Sequence, residues 1–241
     1  ISTYIKTRPK ENDPISETYR WWVNEKNYIP LSNLEIKVWW KNYLSKSSDL
    51  LIDLYIHIPF CYKKCSYCFY YKEILDNLLL DKYLLYLEEY LLDFAPIFRG
   101  IKFKSLYIWW WTPTVLSEKQ INKLLLVINK NFSFLEWAEK TFEWNPLSFS
   151  KNKIEIISKL WINRVSMWVQ SLDEKVLKNS NREYQNTQMI KESINNMLLN
   201  NINDINVDLI VWLKDDDIDK FSFTLKEVIK MKPHTITIYW L

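Results

Sequence analysis

The sequence predicts an α/β fold, an incomplete (β/α)6 barrel of parallel strands, and two observations carry that expectation. Six short runs rich in β-branched residues alternate with five longer amphipathic segments, the pattern of βα units wound around a parallel sheet. The side chains able to do chemistry also fall at or just beyond the C-terminal ends of those runs, where barrel sites are built.

In chain order, residues 1–49 are polar, carry Pro9, Pro14 and Pro30, and read as an irregular N-terminal leader. The core is expected over residues 50–241. Strands are expected near 51–58, 103–108, 140–144, 163–169, 205–211 and 234–240, with helices near 77–95, 117–130, 150–160, 186–200 and 217–231. The first helix is the clearest. Leu80, Tyr83, Leu84, Leu87, Tyr90, Leu91 and Phe94 recur every three or four residues, which puts one apolar face toward a sheet. The chain begins at Ile1 and stops at Leu241 after a strand-like run, so the barrel core is expected to be truncated at its C-terminal end.

Composition limits the function classes. With 48% hydrophobic and 25% charged residues, 241 residues can bury a sizeable core. The formal charge of +3 comes from scattered residues with no basic stripe, so a nucleic-acid partner is not expected. The apolar stretch from Leu78 to Phe98 is interrupted by Asp81, Lys82, Glu88, Glu89 and Asp93, so it is not expected to span a membrane. Three cysteines within eight residues do not make a secreted disulfide framework and suit a reducing, cytoplasmic compartment.

The chain has one glycine and 13 tryptophans, where about 17 glycines would be ordinary for this length. The tryptophans sit where backbone geometry calls for glycine. Trp161 follows a helical run and precedes a strand, Trp212 ends a strand, Trp144 precedes Asn145-Pro146, and Trp109, Trp110 and Trp111 separate a strand from Thr112-Pro113. These positions are read as glycines whose UGA codons were translated as tryptophan.

Cys61, Cys65 and Cys68 form C-x3-C-x2-C just after the first strand. Soft thiolates at this spacing suit a 4Fe-4S cluster, and three of them leave one iron open to a small molecule. The alternative is structural zinc, which wants four ligands and finds His57 as the nearby candidate.

The run Tyr55-Ile56-His57-Ile58-Pro59-Phe60-Cys61, followed by Cys65-Ser66-Tyr67-Cys68, resembles the oxygen-independent coproporphyrinogen III oxidase family of radical S-adenosylmethionine (SAM) proteins, which includes the related haem chaperones. Read with glycine for tryptophan, residues 106–116 resemble that family's glycine motif, which places Trp109, Trp110 and Trp111 against the methionyl group. Glu143 in Glu-x-Asn-Pro, Gln170, Arg182 in Asn-Arg-Glu, and Asp208 resemble family positions that contact SAM. Tyr55 and Tyr67 are expected to line the same ligand.

The resemblance implies a 4Fe-4S cluster, SAM, and reductive cleavage of SAM to start oxidative decarboxylation of a porphyrinogen, making the chain an oxidoreductase of porphyrin biosynthesis. The other function it implies is a haem chaperone on the same scaffold. It further implies a reducing electron donor such as flavodoxin or ferredoxin. The chain departs from the pattern at Lys214, where the family commonly has proline, and at Phe69-Tyr70-Tyr71 after the last cysteine. These departures bear on substrate rather than fold.

Overall fold

A computed structural model describes residues 32–46, 51–69, 73–109, 115–148 and 150–241. Trp110 and Trp111 lie outside the described residues, as do residues 1–31 of the expected leader.

The chain forms one six-stranded sheet from β1 (Asp53–His57), β4 (Lys102–Trp109), β5 (Ser133–Trp144), β6 (Arg164–Gln170), β7 (Asp204–Val211) and β8 (Thr235–Trp240), in that spatial order. Every pairing is parallel. Six parallel strands in sequence order, with β1 and β8 as unjoined edges, are a barrel wall that has not closed. A complete barrel of this kind uses about eight strands. A small parallel pair, β2 (Phe60–Cys61) with β3 (Glu73–Ile74), lies at the top of β1.

Helices α2 (Asn77–Phe94), α3 (Glu118–Asn131), α4 (Lys151–Lys159), α5 (Glu174–Asn179), α6 (Thr187–Leu199) and α7 (Ile218–Lys230) connect the strands. Each starts where a polar side chain satisfies an otherwise unpaired backbone N–H: Asp76, Ser117, Ser150, Asp173, Asn186 and Asp217 in turn. All six expected strands and five expected helices are present. The leader differs from its expectation, because Asn33–Leu44 forms a helix, α1, opened by a capping box between Ser32 and Glu35.

Alternation divides the sheet into two chemical faces. Ile56, Leu106, Ile108, Phe142, Val165, Met167, Val207 and Leu209 are buried in the main apolar cluster with Leu80, Leu125, Ile154 and Ile194 of the helices. The opposite parity carries Tyr55, His57, Tyr107, Glu143, Arg164, Ser166, Asn206 and Asp208. At the N-terminal end of this face Arg164 lies 3.8 Å from Glu139 and 3.6 Å from Asp204, while Asp204 also accepts from or pairs with His234 Nδ1 at 2.9 Å. This charged layer closes the bottom of the wall.

Helix ends explain several unusual backbone angles. After α4, Trp161 N–H bonds the Ser158 carbonyl and Ile162 N–H bonds the Ile157 carbonyl, and Trp161 has φ of 72°. That is a Schellman motif, whose left-handed residue is usually Gly or Asn. The same motif follows α5 and α6 with Asn181 (φ 57°) and Asn201 (φ 62°). Trp212, just past β7, has φ of 65°.

Candidate functional site

The cysteine loop rises from the C-terminal end of β1. Cys61 is buried, Cys65 and Cys68 are half-buried, and none of the three is in a disulfide. The loop is fixed to the turn after α5 by three hydrogen bonds: Ser66 N–H to the Ser180 carbonyl (3.3 Å), Ser66 hydroxyl to the Asn179 carbonyl (3.0 Å), and Asn181 amide to the Lys64 carbonyl (3.1 Å). Lys63 and Glu183 add an exposed ion pair.

That turn also places Arg182. Asn181 takes the left-handed position, so the next residue is directed inward, and its N–H bonds the Leu177 carbonyl at 2.8 Å. Arg182 is 1% exposed, which rules out a solvated surface charge. Its guanidinium donates to the Trp168 carbonyl, to Gln185 Oε1 at 2.8 Å and to Cys65 Sγ at 3.6 Å, and it lies over the Tyr184 ring. Gln185 in turn donates to the carbonyls of Val169 and Ser171, tying Arg182 to the end of β6. The Tyr67 hydroxyl is buried in this corner without a hydrogen-bond partner, and burial pushes it well above the usual phenol range.

Glu143 and Asp208 stand on the polar face, one strand apart on either side of β6. Glu143 is 2% exposed; Tyr107 donates to its Oε1 at 2.5 Å, and its Oε2 has no partner. Burial raises the Glu143 carboxyl well above the usual carboxylate range, against the opposing hydrogen bond from Tyr107. Asp208 accepts from Ser166 at 2.7 Å and from Asn206 at 2.8 Å, and burial raises it too. Neither residue is an exposed strand-end turn.

Gln170 ends β6 after a register shift between Trp168 and Gln170, with φ of 68°. Its Oε1 is buried without a partner. A bulky residue in the left-handed region is strained, and such strain collects at functional sites. On β1, the Tyr55 hydroxyl lies 2.9 Å from His57 Nδ1, and both rings meet Trp109 across the β1–β4 pairing. Burial lowers His57 to about 4, so it stays neutral.

Seven of the expected site residues fall into three groups, while Cys61 and Cys68 flank Cys65 in the loop and Gln170 ends β6. Cys65, Tyr67 and Arg182 share one corner, Glu143 and Asp208 share the polar face, and Tyr55 and Trp109 cover the β1–β4 end. Tyr107, Ser166, Gln185 and Tyr184 were not singled out from sequence. Tyr107 and Ser166 lie inside β4 and β6 at the parity opposite the buried apolar residues, and that period was the available signal.

The donor set suits an iron–sulfur cluster. Three soft thiols share one loop, and the buried Arg182 guanidinium stands beside Cys65. Among the described residues no group of three or more His, Cys, Asp or Glu side chains is gathered to hold a metal ion. The buried, unpaired oxygens of Glu143, Gln170 and Tyr67 are acceptors and donors that a polar ligand would satisfy.

Comparison with known proteins gives the same picture. Residues 55–228 match the Radical SAM superfamily. The chain is 32% identical over 189 residues to the oxygen-independent coproporphyrinogen III oxidase of Escherichia coli K12, covering 78% of this chain and 41% of that protein. It is 30% identical over 195 residues to the heme chaperone HemW of Buchnera aphidicola subsp. Schizaphis graminum, covering 79% of this chain and 50% of that protein. The chain thus spans half or less of the length of these curated relatives. The structure of E. coli coproporphyrinogen III oxidase superposes with a TM-score of 0.79 at 28% identity, over 87% of this chain and 48% of that one. The radical SAM methyltransferase TsrM of Kitasatospora setae shares the fold, with a TM-score of 0.58 at 9% identity over 79% of this chain and 36% of that one.

Proposed function

The chain belongs to the radical SAM superfamily, whose members use a 4Fe-4S cluster and SAM, and from that premise we propose that it carries the cluster-binding half of a coproporphyrinogen III oxidase-like enzyme. Cys61, Cys65 and Cys68 would hold the cluster, and the side chains of that corner and of the polar face of the sheet would hold SAM. When bound, the cluster supplies the electron that cleaves SAM and so starts hydrogen abstraction from the substrate.

The residues divide the remaining work. Arg182 offers a fixed cation beside Cys65, suited to a carboxylate or to the charge of the reduced cluster. Glu143 and Asp208 offer carboxyls to the ammonium, sulfonium or ribose hydroxyls of SAM. Tyr55 and Trp109 close the β1–β4 end, and the apolar cluster under the sheet keeps the wall rigid. The observation that carries the reading is the thiol loop pinned beside a fully buried Arg182.

The substrate reading rests on the 32% identity to the E. coli oxidase. The nearly equal match to the heme chaperone HemW favours a second reading, in which the same scaffold binds haem. Anaerobic reconstitution with iron and sulfide, followed by SAM and a strong reductant, tests the shared part, with release of 5′-deoxyadenosine expected. Coproporphyrinogen III should then lose two carboxyl groups as carbon dioxide, read by mass spectrometry. Stoichiometric haem binding without that product would favour the chaperone reading, and absence of a brown iron–sulfur chromophore would remove both.

A further inference from the structure

Tyr107 lies inside the stretch 106–116 that resembles the glycine motif but has no role of its own there, and its side chain makes a hydrogen bond to Glu143. It stands on β4, where its neighbour in the pairing with β5 is Thr141, two residues before Glu143. Its side chain reaches along the polar face and its hydroxyl donates to Glu143 Oε1 at 2.5 Å. Oε2 of the same carboxyl is buried and has no partner. The two oxygens are therefore unlike: one is held by the wall, the other is left for a ligand.

Resting on the reading that Glu143 meets a cationic group of SAM, we propose that Tyr107 is a positioning residue, which fixes the Glu143 carboxylate and presents its Oε2 to that cation. A carboxylate in a buried site is disfavoured by lost hydration, and a donor on one oxygen offsets part of that loss. The groups facing Glu143 are few. Asp208 from β7 opposes its ionisation, while Tyr107 from β4 and Trp168 and Arg164 from β6 favour it, with Tyr107 foremost among the favourable ones. Tyr107 itself stays protonated, since burial and the neighbouring carboxyl hold it far above the usual phenol range. It can donate and cannot compete as an anion. Asp208 has its own donors, Ser166 and Asn206, so Tyr107 acts on Glu143 alone of the pair.

Two measurements test this. In the cofactor-free protein, the carboxylic-acid infrared band that disappears in Glu143→Gln reports the titration of Glu143 directly. Tyr107→Phe, which removes only the hydroxyl, should move the midpoint of that band to higher pH. In the reconstituted protein, Tyr107→Phe should weaken equilibrium SAM binding by about tenfold near neutral pH, and the loss should shrink as pH rises and Glu143 ionises in both proteins. A loss of affinity that is the same at every pH would mean that Tyr107 only packs, and an unmoved infrared midpoint would overturn the inference outright. If Glu143→Gln leaves SAM affinity unchanged, the assignment of Glu143 to SAM fails instead, and the infrared result still decides whether Tyr107 governs Glu143.

Discussion

The Arg182 guanidinium donates to Cys65 Sγ at 3.6 Å from a fully buried position, although 117 residues separate the two in sequence. The contact joins the cysteine loop at the top of β1 to the turn after α5. Sequence resemblance assigned Arg182 to SAM; the geometry gives it a neighbour in the cysteine loop.

Arg182→Met keeps much of the volume but leaves the Trp168 carbonyl and Gln185 Oε1 without their donor. Stranded buried acceptors of this kind cost about 1–3 kcal/mol. Urea unfolding of the cofactor-free variant should show that loss. Iron content after reconstitution should fall as well as SAM affinity, since the loop loses a contact to Cys65. Iron loading equal to the parent, with SAM binding alone reduced, would show that the Cys65 contact has no part in holding the cluster.

Cys65→Ser should give a protein that does not retain a 4Fe-4S cluster after anaerobic reconstitution, because two thiolates remain where three are needed. Absorption and EPR spectra read this directly. The loop should still dock, since Ser66 and Lys64 make its anchoring bonds through groups the substitution leaves in place. A cluster of unchanged yield in that variant would reject the three-cysteine assignment.

The wall of the barrel was legible because its strands are buried on one face and polar on the other, and its helices carry apolar residues at helical spacing. The cysteine loop was legible because thiol spacing is local. Arg182 and Glu143 were found through motif resemblance, but their burial was not, since it depends on which strands pair. Tyr107 escaped for the same reason: its partner is 36 residues away and is met only through the β4–β5 pairing. Helix α1 escaped because it lies in a polar, proline-bearing stretch that reads as irregular, and short α5 is too brief for periodicity to register.

Glu143 also makes stability depend on pH. Its folded value is raised by burial above the unfolded value of about 4.3. For an acid shifted upward, the extra stability is full below the unfolded value and is lost as pH rises through the folded one. Glu143→Gln is neutral throughout and removes that loss. The melting temperature of the cofactor-free variant, relative to the parent, should therefore climb as pH rises above the unfolded value. Asp208, raised in the same direction, remains in both proteins, and loss of its repulsion with Glu143 in the variant works in the same sense. A constant difference across that range would mean that Glu143 is not held up by burial.

The last prediction concerns Trp161 and Trp212, whose φ angles of 72° and 65° lie in the left-handed region. Their side chains are 72% and 63% exposed, so neither indole returns packing energy for its backbone strain. Left-handed backbone costs an L-residue with a side chain about 1–2 kcal/mol, and glycine escapes this. Trp161→Gly and Trp212→Gly should each stabilise the fold, by about 1 kcal/mol once glycine's greater freedom in the unfolded chain is subtracted. Trp137 is the control: it is similarly exposed at 67% but sits inside β5 without a positive φ. There glycine should destabilise, because it weakens a strand interior. Opposite signs at these sites, measured by urea unfolding, would separate glycine positions from an aromatic-rich surface, which predicts losses at all three. The coding sequence gives the companion test, with UGA expected at Trp109, Trp110, Trp111, Trp161, Trp168 and Trp212. UGG at those codons, together with losses at Trp161 and Trp212, would make the tryptophans native and remove the glycine motif from residues 109–111.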